Sequence, residues 1–204
     1  MKYHLSRTGR RAIAVMAGTA VAALAITSAA LAATASPGSA AARVASAAIP
    51  KCTAALGQTG NVSAWVAGDQ GNGAAGTIYY PLEFTNLSGH TCSMRGFPGV
   101  SAVGRNGQQL GSPANWESGG GFGTPRTVNV APGATVHAIL AYHDAVVGSE
   151  ASCDPVHTTL DLRVFPPDDR GATFAFFDLE ACSHAGPIYL SVGPIKPGVG
   201  TING

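Results

Sequence analysis

The stretch that decides the fold class is Ile78-Tyr79-Tyr80-Pro81-Leu82-Glu83-Phe84-Thr85. Large apolar side chains occupy every second position of it and alternate with Tyr79, Pro81, Glu83 and Thr85. Because successive side chains of a β-strand point to opposite faces, this period of two predicts a strand with one apolar face. Pro81 has no backbone N–H to donate to a neighbouring strand, so the sequence predicts an edge strand or a bulge near this position.

The same alternation recurs further along the chain. The apolar residues that show it are Val128 and Val130; Val136, Ala138, Leu140 and Tyr142; Leu160, Leu162 and Val164; Phe174 and Phe176; and Ile188, Leu190 and Val192. Weaker strands are predicted over 62–66 and 100–103, and no segment after residue 40 has a helical period of more than two turns. Seven or eight short strands with turns rich in Gly and Pro predict an all-β fold, an antiparallel immunoglobulin-like β-sandwich.

Upstream of the strands, the chain begins with the features of an export signal. Basic residues at positions 2, 7, 10 and 11 precede an apolar run over 12–31, and Ala33-Thr34-Ala35 matches an A-x-A cleavage pattern, with Ala30-Leu31-Ala32 as a second choice. We predict a signal peptide over 1–35, an Ala/Ser/Pro-rich linker over 36–51, a β-sandwich domain over 52–195 and a flexible tail over 196–204. The first cysteine, Cys52, lies well beyond the signal, so the prediction is a secreted, extracellular protein with no membrane anchor after cleavage.

The charge of the predicted mature chain excludes one class of partner. Four of the twelve Lys and Arg residues lie in the signal, so eight basic residues remain beside eleven acidic ones, a net charge of −3. A weakly acidic chain without a basic cluster is not expected to bind nucleic acid or anionic membranes.

Four cysteines, Cys52, Cys92, Cys153 and Cys182, lie in the predicted domain. An even number outside the cytoplasm favours two structural disulfides, and no C-x-x-C spacing indicates a zinc or redox site. Four cysteines allow three pairings. If neighbouring strands are antiparallel, the strand ends that carry Cys52 and Cys92 meet, as do those that carry Cys153 and Cys182. We therefore predict the disulfides Cys52–Cys92 and Cys153–Cys182.

Several motifs carry a resemblance to a known family. They are Tyr79-Tyr80-Pro81-Leu82-Glu83-Phe84-Thr85-Asn86, Thr91-Cys92-Ser93-Met94-Arg95-Gly96-Phe97-Pro98-Gly99-Val100, Val130-Ala131-Pro132-Gly133, Leu162-Arg163-Val164-Phe165-Pro166-Pro167, Ala181-Cys182-Ser183 and Leu190-Ser191-Val192-Gly193-Pro194. Over nearly all of 52–195 the chain resembles the secreted actinobacterial family called "domain of unknown function 4232". The resemblance implies an exported β-sandwich, and the missing signal-adjacent cysteine places the chain with the soluble members. The family has no assigned activity, so the resemblance implies no functional residues.

Three aromatic residues are the candidate binding residues. Trp116 and Phe122 lie in the glycine-rich segment 115–123, and Tyr79 lies in the strand quoted above. Aromatic side chains on a loop can stack on sugars or contact a protein partner. The alternative is that Trp116 folds back and closes an open end of the sandwich.

No catalytic or metal-binding residue is predicted. His137 and His143 fall on the outward face of one strand, roughly 20 Å apart, which is too far for one metal ion. Glu83 and Asp161 are also expected on solvent faces, and neither a G-x-S-x-G nor an H-E-x-x-H motif occurs. No cofactor is expected.

The sequence leaves two main classes of function open. The first is a secreted, non-catalytic domain that binds a cell-envelope component, a glycan or an extracellular protein. The alternative is an extracellular hydrolase with a site built from loops; a third possibility is a matrix protein with no discrete ligand. A pocket with two carboxylates or a His–Ser pair would favour the hydrolase, and a loop surface that presents Trp116 would favour binding.

Overall fold

The computed structural model describes residues 48–54, 60–67, 72–148, 153–158 and 161–201. The predicted signal peptide, residues 36–47 of the predicted linker and residues 202–204 lie outside the described residues. In the described part, fifteen strands and one α-helix occur. They are β1 (Val62–Val66), β2 (Asn72–Ala74), β3 (Thr77–Asn86), β4 (Cys92–Arg95), β5 (Gly99–Val103), β6 (Gln109–Leu110), β7 (Asn115–Trp116), β8 (Thr127–Val130), β9 (Thr135–Tyr142), α1 (Asp144–Val147), β10 (Pro155–Thr158), β11 (Asp161–Phe165), β12 (Thr173–Phe176), β13 (Leu179–Cys182), β14 (Leu190–Val192) and β15 (Lys196–Pro197).

The first sheet is built on the long pair of β3 and β9, which run antiparallel from Ile78 opposite Tyr142 to Thr85 opposite Thr135. Its strand order is β1-β3-β9-β14-β7, with β2 also paired to β3 and β15 also paired to β9. The predicted apolar face of β3 is confirmed, since Leu82 and Phe84 are fully buried. Of the strand pairs in this sheet, β14 with β7 is parallel.

The second sheet has the order β12-β11-β5-β6, and two further strand pairs, β4 with β8 and β10 with β13, stand beside the main sheets. Apolar side chains from both sheets meet in one core, for example Leu82 and Leu140 from the first with Val100 and Leu162 from the second. The all-β fold is confirmed, while the immunoglobulin-like strand order stays a prediction. The fifteen strands replace the expected seven or eight, because strands of two to four residues, such as β6, are too short to show a sequence period.

Pro81 does not lie on an edge strand, because β3 is hydrogen-bonded to β9 on one side and to β1 and β2 on the other. The carbonyl of Pro81 accepts the N–H of Ala67, the residue that follows β1. The nitrogen and the carbonyl of one strand residue point to the same side, so the missing N–H of Pro81 faces the gap between the end of β1 and β2. The proline therefore costs no hydrogen bond to β9.

Both predicted disulfides are confirmed. Cys52 is bonded to Cys92 and Cys153 to Cys182. The first pair meets because Lys51 and Ser93 form a bridge beside it, and the second because Cys182 lies opposite Pro155 at the start of the β10–β13 pair. Cross-links over loops of this size stabilise a fold by about 3–4 kcal/mol each in the chain-entropy model.

The prediction of a free tail is wrong for residues 196–201. β15 pairs with β9, with Lys196 opposite His137. The chain then crosses the outer face of the first sheet, where Gly198 and Gly200 hydrogen-bond to side chains of β9 and β3. The sequence signal was misleading because Gly and Pro are frequent both in frayed ends and in segments that pack closely on a sheet.

Across the described residues, none of the helices combines the length and the apolar character that a membrane span requires.

Candidate functional site

Trp116 is positioned by a very short strand, β7. β7 has two residues and lies parallel to β14, with Trp116 opposite Val192. The next residue, Glu117, donates its N–H to the carbonyl of Val192. With the backbone held in this way, the Trp116 side chain is 65% exposed, so it does not close an end of the fold.

The indole of Trp116 is held on one face and at one edge. Its ring lies 5.4 Å from that of Phe97, with 12° between the planes, which is a stacked arrangement. Its Nε1–H donates to the carbonyl oxygen of Pro98 at 3.1 Å. The face opposite Phe97 therefore remains open to solvent, and the indole nitrogen is already satisfied within the protein.

The turn that carries Phe97 is itself fixed. Gly96 adopts a φ of +102°, a conformation that favours glycine, and its carbonyl accepts the N–H of Ile195. The β4–β5 turn is thus tied to the residues that follow β14. The stacked pair is consequently ordered before any ligand arrives.

An open groove of about 370 Å³ extends from the exposed ring. Its floor and walls come from the β4–β5 turn, from Trp116 and from the turn that follows β11. The aromatic and charged side chains that line it are Arg95, Phe97, Trp116, Phe165, Asp168 and Asp169. The groove therefore combines aromatic surface with charged groups at its edge.

The two carboxylates of the groove do not form a catalytic pair. Asp169 accepts the backbone N–H groups of Ala54, Arg170 and Gly171, so both of its oxygens are committed to shaping the turn. Asp168 forms an ion pair with Lys51 at 3.3 Å, in which both side chains are largely exposed. Such a pair is weak and can be exchanged for a ligand contact.

Tyr79 and Phe122 form a contact of their own rather than a common surface with Trp116. Their ring centres are 6.2 Å apart in an edge-to-face arrangement. Phe122 lies in a short 3-10 helix, Gly120–Phe122, and its ring packs so close to Gly193 that a Cβ there would meet it at 2.9 Å. Phe122 thus covers the outer face of the first sheet, and its predicted role in binding gains no support from this packing.

A His–Ser contact of the kind expected for a hydrolase does occur. His143 Nε2 lies 3.1 Å from the hydroxyl of Ser191, and Nδ1 lies 3.0 Å from the hydroxyl of Thr77. His143 follows β9 and is half-buried, so the prediction of a solvated histidine is wrong. Ser191 is only 2% exposed, and Thr77 supplies a neutral hydroxyl where a catalytic triad has a carboxylate.

The prediction that Glu83 and His137 face solvent is also wrong, because both residues are buried. Glu83 is 0% exposed and His137 is buried beside it, opposite one another on β3 and β9. Burial raises the pKa of Glu83 to about 7, against a smaller lowering by the Gly200 hydrogen bond. Burial also lowers the pKa of His137, and the hydrogen bond with Gly198 partly opposes this.

Sequence reasoning found Trp116 but not Phe97, the residue that fixes its ring. The two are 19 positions apart, and no periodicity links a turn after β4 to a two-residue strand. The Phe97-Pro98-Gly99 run in the second quoted motif is typical of a turn, but it does not point to Trp116. Burial of Glu83 had no local signal at all.

Comparison with protein families gives one match. The family model described as "Domain of unknown function (DUF4232)" matches residues 52–196. No curated protein and no solved structure matches the chain.

Proposed function

Since the chain belongs to the DUF4232 family, whose function is unknown, we propose that it is a secreted, non-catalytic domain that binds a carbohydrate of the cell envelope at the Trp116 groove. The observation that carries this proposal is the state of Trp116. Its ring is 65% exposed, and yet it is stacked on Phe97 and hydrogen-bonded to Pro98. The two disulfides support an oxidising, extracellular location.

A sugar ring suits this groove for electrostatic reasons. The face of an aromatic ring carries negative partial charge, and the C–H groups on one face of a pyranose carry small positive charges, so the two faces attract. Asp168 and Arg95 at the groove edge offer a hydrogen-bond acceptor and donors for sugar hydroxyls. Because the ring is ordered beforehand, binding loses little conformational entropy.

The size of the groove favours a glycan over a protein partner. A cavity of about 370 Å³ lies near the lower end of the range for small-ligand sites. Such a groove can enclose a molecule the size of a sugar, whereas a specific protein interface requires about 800 Å² of surface on each partner.

Hydrolysis is the second candidate, and the contact between His143 and Ser191 is the observation in its favour. A substrate carbonyl must come within about 3 Å of the serine hydroxyl. Ser191 is covered, and the carboxylates of the groove are held by backbone N–H groups and by Lys51. These features favour binding over hydrolysis.

The proposal is tested by calorimetric titration of the secreted chain with solubilised wall polysaccharide. We expect Trp116→Ala to weaken binding tenfold or more, which corresponds to about 1.4 kcal/mol for one lost aromatic anchor. Phe176→Ala is the matched control, because Phe176 is an aromatic residue of similar exposure, 69%, on β12. Equal affinity of the Trp116→Ala variant and the unmodified chain would refute the proposed site.

A further inference from the structure

Two side chains of the first sheet hydrogen-bond to the backbone of residues 198–200 and hold this segment on the outer face of the sheet. The N–H of Gly200 donates to Glu83 Oε1 at 2.8 Å. The carbonyl of Gly198 lies 2.8 Å from His137 Nδ1, and because a carbonyl can only accept, Nδ1 carries the proton and donates. One acidic and one imidazole side chain thus satisfy one N–H and one C=O of a bent segment, in which Gly198 has a φ of +78°, a conformation that favours glycine.

The site also selects for glycine. A Cβ on Gly200 would lie 2.6 Å from the Cβ of Pro81, which is closer than real Cβ atoms approach, and 3.0 Å from the ring of His137, which is a tight contact. Between the two glycines, the side chain of Val199 is exposed, so the site does not require a particular side chain at this position. The surface therefore accepts a Gly-x-Gly backbone and is indifferent to the central side chain.

One polar atom of the site is not used by this segment. Glu83 Oε2 is buried and has no hydrogen-bond partner among the described residues. Buried polar atoms in native proteins are nearly always satisfied, and an exception calls for an explanation. A ligand could satisfy this oxygen with an N–H when Glu83 is ionised or with a C=O when it is protonated, whereas the 198–200 segment delivers one N–H only, to Oε1.

We propose that Glu83 and His137 form a receptor for a bent peptide segment containing Gly-x-Gly, and that residues 198–200 are its resident and displaceable occupant. The ligand is the uncharged backbone of a glycine-containing peptide, bound by hydrogen bonds and by close contact at the second glycine. This site shares no residue with the Trp116 groove, so the two proposals are tested independently.

The state of the two side chains agrees with an uncharged ligand. Burial raises the pKa of the Glu83 carboxyl and lowers that of the His137 imidazole, so both groups tend towards their neutral forms. Lys196 on β15 is the other titratable group beside His137. Its Nζ donates to the carbonyl of Gly121, and its positive charge lowers the pKa of His137 further.

The direct test uses the full-length Gly200→Ala variant, in which the clash of the new Cβ with Pro81 releases the resident segment and opens the site. Synthetic Pro-Gly-Val-Gly-Thr, the sequence of residues 197–201, is titrated into it while the NMR signals of the Glu83 carboxyl and the His137 ring are followed. We expect saturable shifts of both signals with a dissociation constant in the millimolar range, because two hydrogen bonds and one close contact give modest affinity. The same peptide with alanine for the second glycine is expected to cause no shift, and the peptide with alanine for valine is expected to bind like the original.

Two full-length variants test the requirement for glycine without an added peptide. Gly200→Ala is expected to raise amide hydrogen exchange at residues 198–200 at least tenfold, and Val199→Ala is expected to leave it unchanged. Binding of the alanine peptide as well as the glycine peptide would overturn the proposal. So would unchanged exchange in Gly200→Ala.

Discussion

At the scale of single residues, the outer face of the first sheet is where simple alternation fails. Glu83 occupies a position that the period of two assigns to solvent, and it is nevertheless fully buried. The cause is the 198–200 segment, more than a hundred residues further along the chain, whose Gly200 N–H reaches its carboxyl. An unpaired buried carboxylate is costly, so this residue makes the stability of the fold depend on pH.

The sign of that dependence follows from the pKa of Glu83, which is raised from 4.5 to about 7 in the folded chain. Between these values the folded state binds more protons than the unfolded state, so the contribution of Glu83 to stability is greatest below pH 4.5 and is lost as pH rises to about 7. The loss amounts to at most about 3 kcal/mol, because one pKa unit corresponds to 1.36 kcal/mol. Glu83→Gln removes this titration.

The check is urea unfolding of the Glu83→Gln variant and the unmodified chain at pH 5 and pH 8. His137, whose lowered pKa acts with the opposite sign, lies opposite Glu83, so the comparison is repeated in a His137→Gln background to remove its contribution. We expect the glutamine variant to gain stability relative to the unmodified chain on going from pH 5 to pH 8. Parallel stabilities at the two pH values would show that Glu83 does not titrate abnormally.

At the scale of elements, the pairing of β3 with β9 organises the molecule. Eight consecutive residue pairs join the two strands, and Leu82 and Phe84 project from β3 into the core shared by both sheets. Truncation of a fully buried aromatic side chain loses its transfer free energy and leaves a cavity.

We therefore expect Phe84→Ala to lower the free energy of unfolding by about 3–5 kcal/mol. Phe176→Ala removes the same atoms from an exposed position on β12 and should change it by less than about 0.5 kcal/mol. Chemical denaturation of the two variants measures both values. Similar losses in the two variants would contradict the assignment of the inward face of β3.

The elements also show what the sequence could and could not predict. Long alternating strands, such as β3 and β9, and the two disulfides were predictable, because each depends on a local period or on neighbouring strand ends. Phe174 and Phe176 alternate as an inward face would, but both are exposed while Thr173 and Ala175 are buried. An edge strand of four residues is too short for its pattern to distinguish a core face from a solvent face.

The candidate site was predictable in one residue and not in its geometry. Trp116 was identified as an aromatic residue in a glycine-rich segment, but its stacking on Phe97 and its bond to Pro98 join separate parts of the chain. Phe122 and Tyr79 were also named as candidate binding residues, and their rings contact each other. Contacts between distant segments depend on the complete fold, and no local pattern records them.

At the scale of the whole molecule, the two proposed binding sites differ in the groups that they present. The Trp116 groove presents open aromatic surface and charged side chains, whereas the Glu83–His137 site is filled by residues 198–200. Ser191, beside His143, is covered. This arrangement is consistent with the proposed binding function, in which a disulfide-linked scaffold carries an exposed aromatic surface.

The central claim is that a glycan stacks on Trp116, and the two indole N–H signals of the chain test it most directly by NMR. Trp65 is the internal control, because it lies on β1, is also partly exposed, and donates its Nε1–H to Thr85 Oγ1. On titration with wall polysaccharide, we predict a saturable shift of the Trp116 indole signal and a stationary Trp65 signal. A stationary Trp116 signal while the polysaccharide binds, or equal shifts of both indoles, would contradict the account.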